Sequence, residues 1–290
     1  MTANLAIAQE PLRAAAAKLP GGTLQAVRDA AIEQLLTRGT PTLRHEDWTY
    51  TDLAPVIAIS NDWLASDTPV DDAAALAATI ADITERHDAH WVVIANGEID
   101  AAALTAINAP GIKATLLSES GATPTFEAPL ADLNVALLRD GLRIEVESGA
   151  KIEKPIALLM VDSAIGNDSV AQTNIDIALA TNSEASFVEY HVSLGERRHY
   201  ANAVINLAVQ DGARAQYLRL QDRDTSHTQT GRLSVQLGRD SVLNHCAFDL
   251  GGKLVRNDLD IRINGAGAQA AFHGLYLAGN DQHIDNHTRV

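Results

Sequence analysis

The stretch GLYLAGNDQHIDNHTRV holds the sharpest candidate for chemistry in this chain, a His283-x-Asp285-x-His287 pattern. Two imidazoles beside a carboxylate are donors that zinc and iron accept, with histidine nitrogens about 2.0 to 2.1 Å from a zinc ion. His283 and His287 are therefore the candidate metal ligands. The surrounding pattern is that of a strand, where four residues span roughly 13 Å at about 3.3 Å each, so convergence on one ion requires a bend at Asp285–Asn286. Without that bend the segment is a polar turn or strand face. His245–Cys246 places a base next to a thiol, but adjacent strand residues point to opposite faces. Cys246, in line with the apolar inner series, reads as a small core residue. His191, His199, His227 and His273 fall in coils or turns and share no metal-like spacing, and His87 reads as a surface residue. The carboxylates and lysines of DGLRIEVESGAKIEKPI describe a solvated strand edge. No catalytic residue emerges from these patterns.

The bulk composition narrows the partners. Lys+Arg 22 against Asp+Glu 37 gives a net charge of −15, which opposes binding to nucleic acid or to an anionic membrane through a general positive field. No stretch reaches the roughly 18 apolar residues of a membrane span. One cysteine allows no internal disulfide, and MTANLAIAQEPLRAAAAKLP lacks the basic start and unbroken apolar run of a secretory leader, so a cytoplasmic location is expected. Aromatics are 4%, so the core must be built from Ala, Val, Ile and Leu.

These residues need elements to position them. In GGTLQAVRDAAIEQLLTRGTP, Thr23 can cap a helix whose apolar face is Leu24, Val27, Ala31 and Leu35, with Gly39 and Pro41 ending it. VDDAAALAATIADITERHDAH repeats the pattern with Leu76, Ile80 and Ile83, its acidic residues at the positive end. WVVIANGEID is a strand turning at Asn96–Gly97, a dipeptide suited to the positive φ angles of a tight hairpin. GIKATLLSES adds a short strand. ADLNVALLRDGLRIEV gives a short helix, a turn at Asp140–Gly141 and a strand. Within RHEDWTYTDL, Trp48 and Tyr50 read as anchors packing the helical region onto the rest.

Beyond residue 170 the alternation becomes a repeat. Apolar triplets recur at Ile175-Ile177-Leu179, Ile205-Leu207-Val209, Leu233-Val235-Leu237 and Leu259-Ile261-Ile263, with starts 30, 28 and 26 residues apart. A second series, Ala185, Ala213, Ser241 and Ala268, falls between them at spacings of 28, 28 and 27, each after a turn-prone residue. Two strands per coil of about 28 residues is the signature of a solenoid. A single coil cannot bury its apolar face, whereas stacking puts Ile over Ile and Val over Val. The expected class is mainly β, a parallel β-helix after an N-terminal helical region, and the absence of a six-residue period excludes the left-handed hexapeptide type. The expected division is 1–125 for the helical region with a short α/β segment and 126–290 for the β-helix, with a linker in 118–130. The next strand falls at 287–291, so the chain is expected to end inside a coil, truncated or covered by a partner.

Several segments together resemble the SufB/SufD family of iron–sulfur cluster assembly scaffolds, its SufD branch first and SufB as the near alternative: RHEDWTYTDL after a helix, DLNVALLRDGLRIEV, EKPIALLMVDS, DLGGKLVRNDLDI and GLYLAGNDQHIDNHTRV. The resemblance runs from residue 23 onward. It implies a right-handed β-helix that pairs with SufB, and a later helical region, beyond Val290, that docks on the SufC ATPase. It implies a non-enzymatic scaffold with no intrinsic cofactor, the iron–sulfur cluster being assembled at the level of the complex. The family's late histidine at the SufB interface has no matching position here. Two rival readings are a carbohydrate-active β-helix enzyme working with paired carboxylates and an iron donor acting through residues 283–287.

Overall fold

The computed structural model describes residues 6–66, 72–101, 104, 107, 109–279 and 281–290. Helices come first: α1 (Gln9–Ala17), α2 (Gln25–Arg38), α3 (Ala54–Leu64) and α4 (Ala73–Thr84), with a 3₁₀ turn at Glu46–Trp48 between α2 and α3. Of the predicted face, Leu24, Ala31 and Leu35 are buried and Val27 is half-buried, Ile32 is buried beside them, and Gly39 ends the helix at φ 72° with its N–H on the Leu35 carbonyl. Thr23 does not cap it. The helix begins after Leu24 without a side-chain cap, and the Thr23 hydroxyl instead donates to the Ser118 carbonyl at 2.8 Å. α4 lays Leu76, Ile80 and Ile83 against Leu159, Val161 and Val192.

Among the described residues, fourteen strands follow in two seven-stranded sheets. One sheet holds β1 (His90–Ala95), β2 (Glu98–Ile99), β5 (Ile156–Ser163), β7 (Glu184–Leu194), β9 (Arg214–Asp222), β11 (Val242–Asp249) and β13 (Gln269–Tyr276). The other holds β3 (Ile112–Leu116), β4 (Leu142–Val146), β6 (Ser169–Leu179), β8 (His199–Val209), β10 (Thr228–Leu237), β12 (Leu254–Ile263) and β14 (His283–Arg289). The chain alternates between sheets, so from β4 onward each strand pairs in parallel with the one two places earlier or later. Strands of these sheets thus begin at His90 and Ile112, upstream of residue 126. The hairpin forms at Asn96 and Gly97, both at positive φ, joining β1 to β2. Two short helices, α5 (Leu117–Ser120) and α6 (Ala131–Ala136), lie between β3 and β4.

The apolar triplets stack in register: Ile175, Ile205, Leu233 and Leu259 form one row, and Ile177, Leu207, Val235 and Ile261 the next. Leu142 and Ile144 extend these two rows one coil earlier, and Val146 pairs likewise with Leu179. Each fully buried aliphatic side chain contributes about 1.5 to 3 kcal/mol, so the rows hold the two sheets together. The second series is corrected at its first member. Arg214 lies opposite Glu184, which aligns Ala213 with Ser183, and Ala185 faces Ala215. The turn chemistry explains the register. Asn182, Gly212, Asp240 and Gly267 all adopt positive φ, and the N–H of each of the first three reaches the carbonyl one coil on, at Asp211, Arg239 and Ala266. The series begins one residue after each of these turns.

The helical region covers the outer face of the second sheet. Val170, Tyr200 and Leu254 point outward from β6, β8 and β12 into a cluster with Leu12, Ile32, Trp48, Val56 and Leu133. Arg28 ties α2 down from inside: its buried guanidinium donates to the carbonyls of Leu138 (2.8 Å), Arg139 (2.7 Å) and Pro20 (2.5 Å).

Candidate functional site

The predicted ligands His283 and His287 lie on β14, opposite Leu254 and Asp258 of β12, with Asp285 opposite Arg256. All three project from the outer face toward residues 47–51. The Thr51 hydroxyl lies 3.4 Å from His283 Nε2, and it also donates to the Asp285 carboxylate. His287 Nε2 is 3.5 Å from Asp47, which also accepts from Arg289 at 3.0 Å. Among the described residues no three of His, Cys, Asp and Glu come together as a ready metal ligand set.

Arg256 is the pivot of this contact. It is 2% exposed, pairs with Asp258 at 2.7 Å and with Asp285, and lies 4.4 Å above the Trp48 ring. A cation over an indole face is attracted by the ring quadrupole. RHEDWTYTDL therefore anchors the helical region to β12 and β14 through Asp47, Trp48 and Thr51. Tyr50 takes no part: it is 84% exposed, because the turn after Trp48 carries it outward. Nearby, a groove of about 430 Å³ runs between this segment and the outer faces of β8, β10, β12 and β14. Several of its charges are paired with one another, as in Arg232–Asp260 and Arg289–Asp47.

A second polar assembly lies inside the solenoid, where hydropathy alone gives no reason to look. His245, not Cys246, occupies the inner position of β11: it is 6% exposed, while Cys246 is a free thiol on the partly open outer face. The inner residues Phe187, Tyr217, His245 and Phe272 stack across four strands with ring centroids 6.1, 5.9 and 6.0 Å apart. Beside this ladder sits the buried carboxylate of Glu189. It accepts from the Tyr217 hydroxyl and from His191 Nε2, both at 2.6 Å. Burial pushes the Glu189 carboxyl upward, but the bond and charge of His191, with Arg219 and Tyr217, outweigh it and hold its pKa below the usual value. Burial lowers the His191 pKa in spite of Glu189, and burial with the neighbouring carboxylate raises that of Tyr217 well above its usual value. The arrangement is thus a buried carboxylate held by the His191 and Tyr217 donors, with the Arg219 charge adding to them.

The next inner residues continue the file. Arg219 makes two 2.8 Å bonds to Asp249 and a third, also 2.8 Å, to Asn257. Arg223 pairs with Asp162 at 2.7 Å and donates to Gln229 at 2.7 Å. His199 and His227 pack their rings 5.2 Å apart beside this pair. His227 is satisfied by the Ser193 hydroxyl at 2.6 Å and the Arg197 carbonyl at 3.0 Å, whereas neither His199 nitrogen has a hydrogen-bond partner, its Nε2 lying 3.7 Å from the Asp162 carboxylate. Burial holds His199 well below the ordinary histidine range, with Arg223 and His227 adding to the effect, and burial also lowers His227. Three histidines without metal-like spacing in sequence are thus gathered by coil stacking. The available signal was parity: Phe187-x-Glu189-x-His191 and Tyr217-x-Arg219-x-Gln221 continue the inward alternation.

Chemically, the outer contact is an anchor and the inner file a charge-balanced core. Glu189 and Asp249 have their oxygens engaged by internal donors, and both lie within the solenoid. Among the described residues no helix is long and apolar enough to cross a membrane.

Comparison with known proteins agrees with this architecture. Residues 162–290, from the end of β5 through β14, match the family described as SUF system FeS cluster assembly, SufBD core domain. The chain is 24% identical over 261 residues to the iron–sulfur cluster assembly protein SufD of Escherichia coli K12, covering 89% of this chain and 60% of that protein. An iron–sulfur cluster assembly SufBD family protein of Mycobacterium tuberculosis H37Rv is 28% identical over 147 residues, 51% of this chain and 36% of its own length. A Mycobacterium bovis member is 30% identical over 149 residues, with the same coverage. The chain thus spans from about a third to 60% of the length of these relatives. With its two stacked parallel sheets and a SufBD core-domain match over nine of their strands, this chain is SufD-like.

Proposed function

We propose that the chain is a non-enzymatic scaffold subunit of a cytoplasmic iron–sulfur cluster assembly complex, pairing with SufB and with the SufC ATPase. The observation that carries the reading is the SufBD core match over residues 162–290, which coincides with the continuous stack from β6 to β14. The side-chain chemistry supports a scaffold. The inner carboxylates are occupied by Arg219, His191 and Tyr217, and the one cysteine is half-buried on an outer sheet face. The cluster is cargo of the complex, and this subunit brings no cofactor of its own. What it supplies is a rigid body, two sheets locked by aliphatic rows inside and pinned to a helical region outside. Co-expression of the gene product with SufB and SufC, followed by affinity capture of one partner and mass measurement, tests the reading. A stoichiometric complex is expected; failure of the gene product to co-purify with either partner overturns it.

A further inference from the structure

The outer faces of the two sheets follow different rules. On the second sheet, Val170, Tyr200 and Leu254 point outward where the helices cover them, whereas Asp176, Asn206, Ser234 and Asp260, outside the helical cluster, form a polar outward row in register. On the first sheet the outward rows stay apolar where helical cover ends. Leu159, Tyr190, Leu220 and Phe248 form one such row, and Ala157, Val188, Leu218 and Cys246 its neighbour. α4 seats Leu76, Ile80 and Ile83 on the start of this surface, at Leu159, Val161 and Val192, with Tyr190 and Leu194 packed beside them. Leu218, Leu220, Cys246 and Phe248 lie outside that cluster and are half-buried, and Leu250 is exposed. Both β9 and β11 are paired on each side, so this exposure belongs to the sheet face and not to a strand edge. A contiguous apolar patch on an outer face marks an interaction site.

Its size and charge describe the occupant. With rows about 6.7 Å apart along the strands and strands about 4.8 Å apart, three rows from β7 to β13 cover roughly 13 by 14 Å. That footprint is far below the roughly 800 Å² per partner of a stable dimer. It matches one helix, about 10 to 12 Å across and rising about 1.5 Å per residue. α4 already shows the mode: Leu76, Ile80 and Ile83 lie along one helix face against the same surface. Asp222, opposite Val192, is the charge within the patch; it is exposed and has no ion-pair partner among the described residues, the nearby Arg86 being committed to Asp82. A free carboxylate at the border of an apolar face favours a partner with a basic residue beside its stripe.

We propose that this face docks a single amphipathic α-helix of another polypeptide, with an aliphatic stripe at the α4 spacing and a lysine or arginine flanking it. Phe248, Leu220 and Leu218 receive the stripe, and Asp222 receives the basic residue. The inference does not rest on pairing with SufB or SufC, so the two readings fail separately.

The test titrates the chain with a labelled synthetic helical peptide bearing leucine at i, i+4 and i+7 and lysine beside that stripe. Binding is read by fluorescence anisotropy and by the rate at which a maleimide labels Cys246, the one cysteine of the chain. Control peptides scatter the same leucines around the helix or replace lysine by glutamate. Labelling of Cys246 is expected to slow by about tenfold with the striped peptide at roughly ten times its Kd. The scattered peptide should bind at least about tenfold more weakly, and Phe248→Glu should weaken the striped peptide by a similar factor. Asp222→Lys should reverse the preference between the lysine and glutamate peptides, an effect that misfolding does not produce. Absence of binding, equal binding of striped and scattered peptides, wild-type affinity in Phe248→Glu, or an unreversed preference in Asp222→Lys would each overturn the proposal. So would protection of Cys246 by self-association of the chain without peptide, which would assign the face to a second copy.

Discussion

Replacing Arg256 separates an anchoring role for RHEDWTYTDL from mere adjacency. Its guanidinium is 2% exposed, balances Asp258 and Asp285, and covers the Trp48 ring at 4.4 Å. Removing one partner of a buried ion pair costs about 3 to 5 kcal/mol, because the remaining charge stays buried and unpaired. The lost cation–π contact adds up to about 2 kcal/mol when desolvated, though the two terms share one side chain and do not add fully. Asp258 and Asp285 retain 14% and 20% side-chain exposure, which relieves part of the penalty. For Arg256→Met, which keeps the aliphatic stem, a loss of about 3 kcal/mol in the local opening free energy is expected. At 1.4 kcal/mol per tenfold, that is about a hundredfold faster amide exchange. It should be confined to residues 46–51 and to β14, read by hydrogen exchange under native conditions, with β6 and β8 unchanged. Arg256→Met/Asp285→Asn should recover part of the loss, since one of the two stranded charges is then gone. Less than a tenfold change at both 46–51 and β14 would refute the anchor.

Further outcomes follow from the same structure. Arg28→Ala removes three carbonyl contacts from a buried guanidinium and should cost about 2 to 4 kcal/mol in denaturant unfolding, α2 loosening first. Ile205→Ala, at the centre of an inner row, should cost about 2 to 5 kcal/mol by leaving a cavity between β6 and β10. Acid should destabilise the fold early. His191, His199, His227 and His245 are all held below their ordinary pKa, chiefly by burial, so the unfolded chain takes up protons first. Stability is therefore full above about pH 6.5 and falls as pH drops, by up to about 1.4 kcal/mol per unit for each histidine, continuing to about pH 4 for His245. Glu189 acts in the same direction at lower pH: its lowered folded pKa gives a contribution that is present above the usual carboxylate range and lost as pH falls through the folded value. A melting temperature that stays flat from pH 7 to pH 5 would contradict this.

What the sequence revealed depended on which physical signal each feature carries. The aliphatic rows were legible because a two-residue period with a coil of about 28 residues admits no other way of burying Ile, Leu and Val. Hairpin and helix stops were legible because Asn96, Gly97 and Gly39 need positive φ. The second series slipped by two residues at Ala185 because its coil is longer, 30 residues against 28 and 27 for the later ones, and only the turn at Asn182 fixes the register. The inner file was illegible for a different reason. Glu189, His191, Arg219 and Asp249 satisfy one another inside the solenoid, so a hydropathy pattern reads them as outward. The same parity error placed Cys246 in the core when its neighbour His245 was there. Tyr50 and Thr23 show that a residue's aptitude for anchoring or capping does not decide whether the backbone turns it the right way.

The role proposed for this SufD-like solenoid is in iron–sulfur cluster assembly. The most direct measurement is complementation in a host that depends on its Suf system and lacks its own SufD, with the activity of an iron–sulfur enzyme as readout. Restored activity with the gene product, and none with empty vector, is the expected result. Activity that stays at the vector level, while the protein is folded and SufB and SufC are present, would contradict the account.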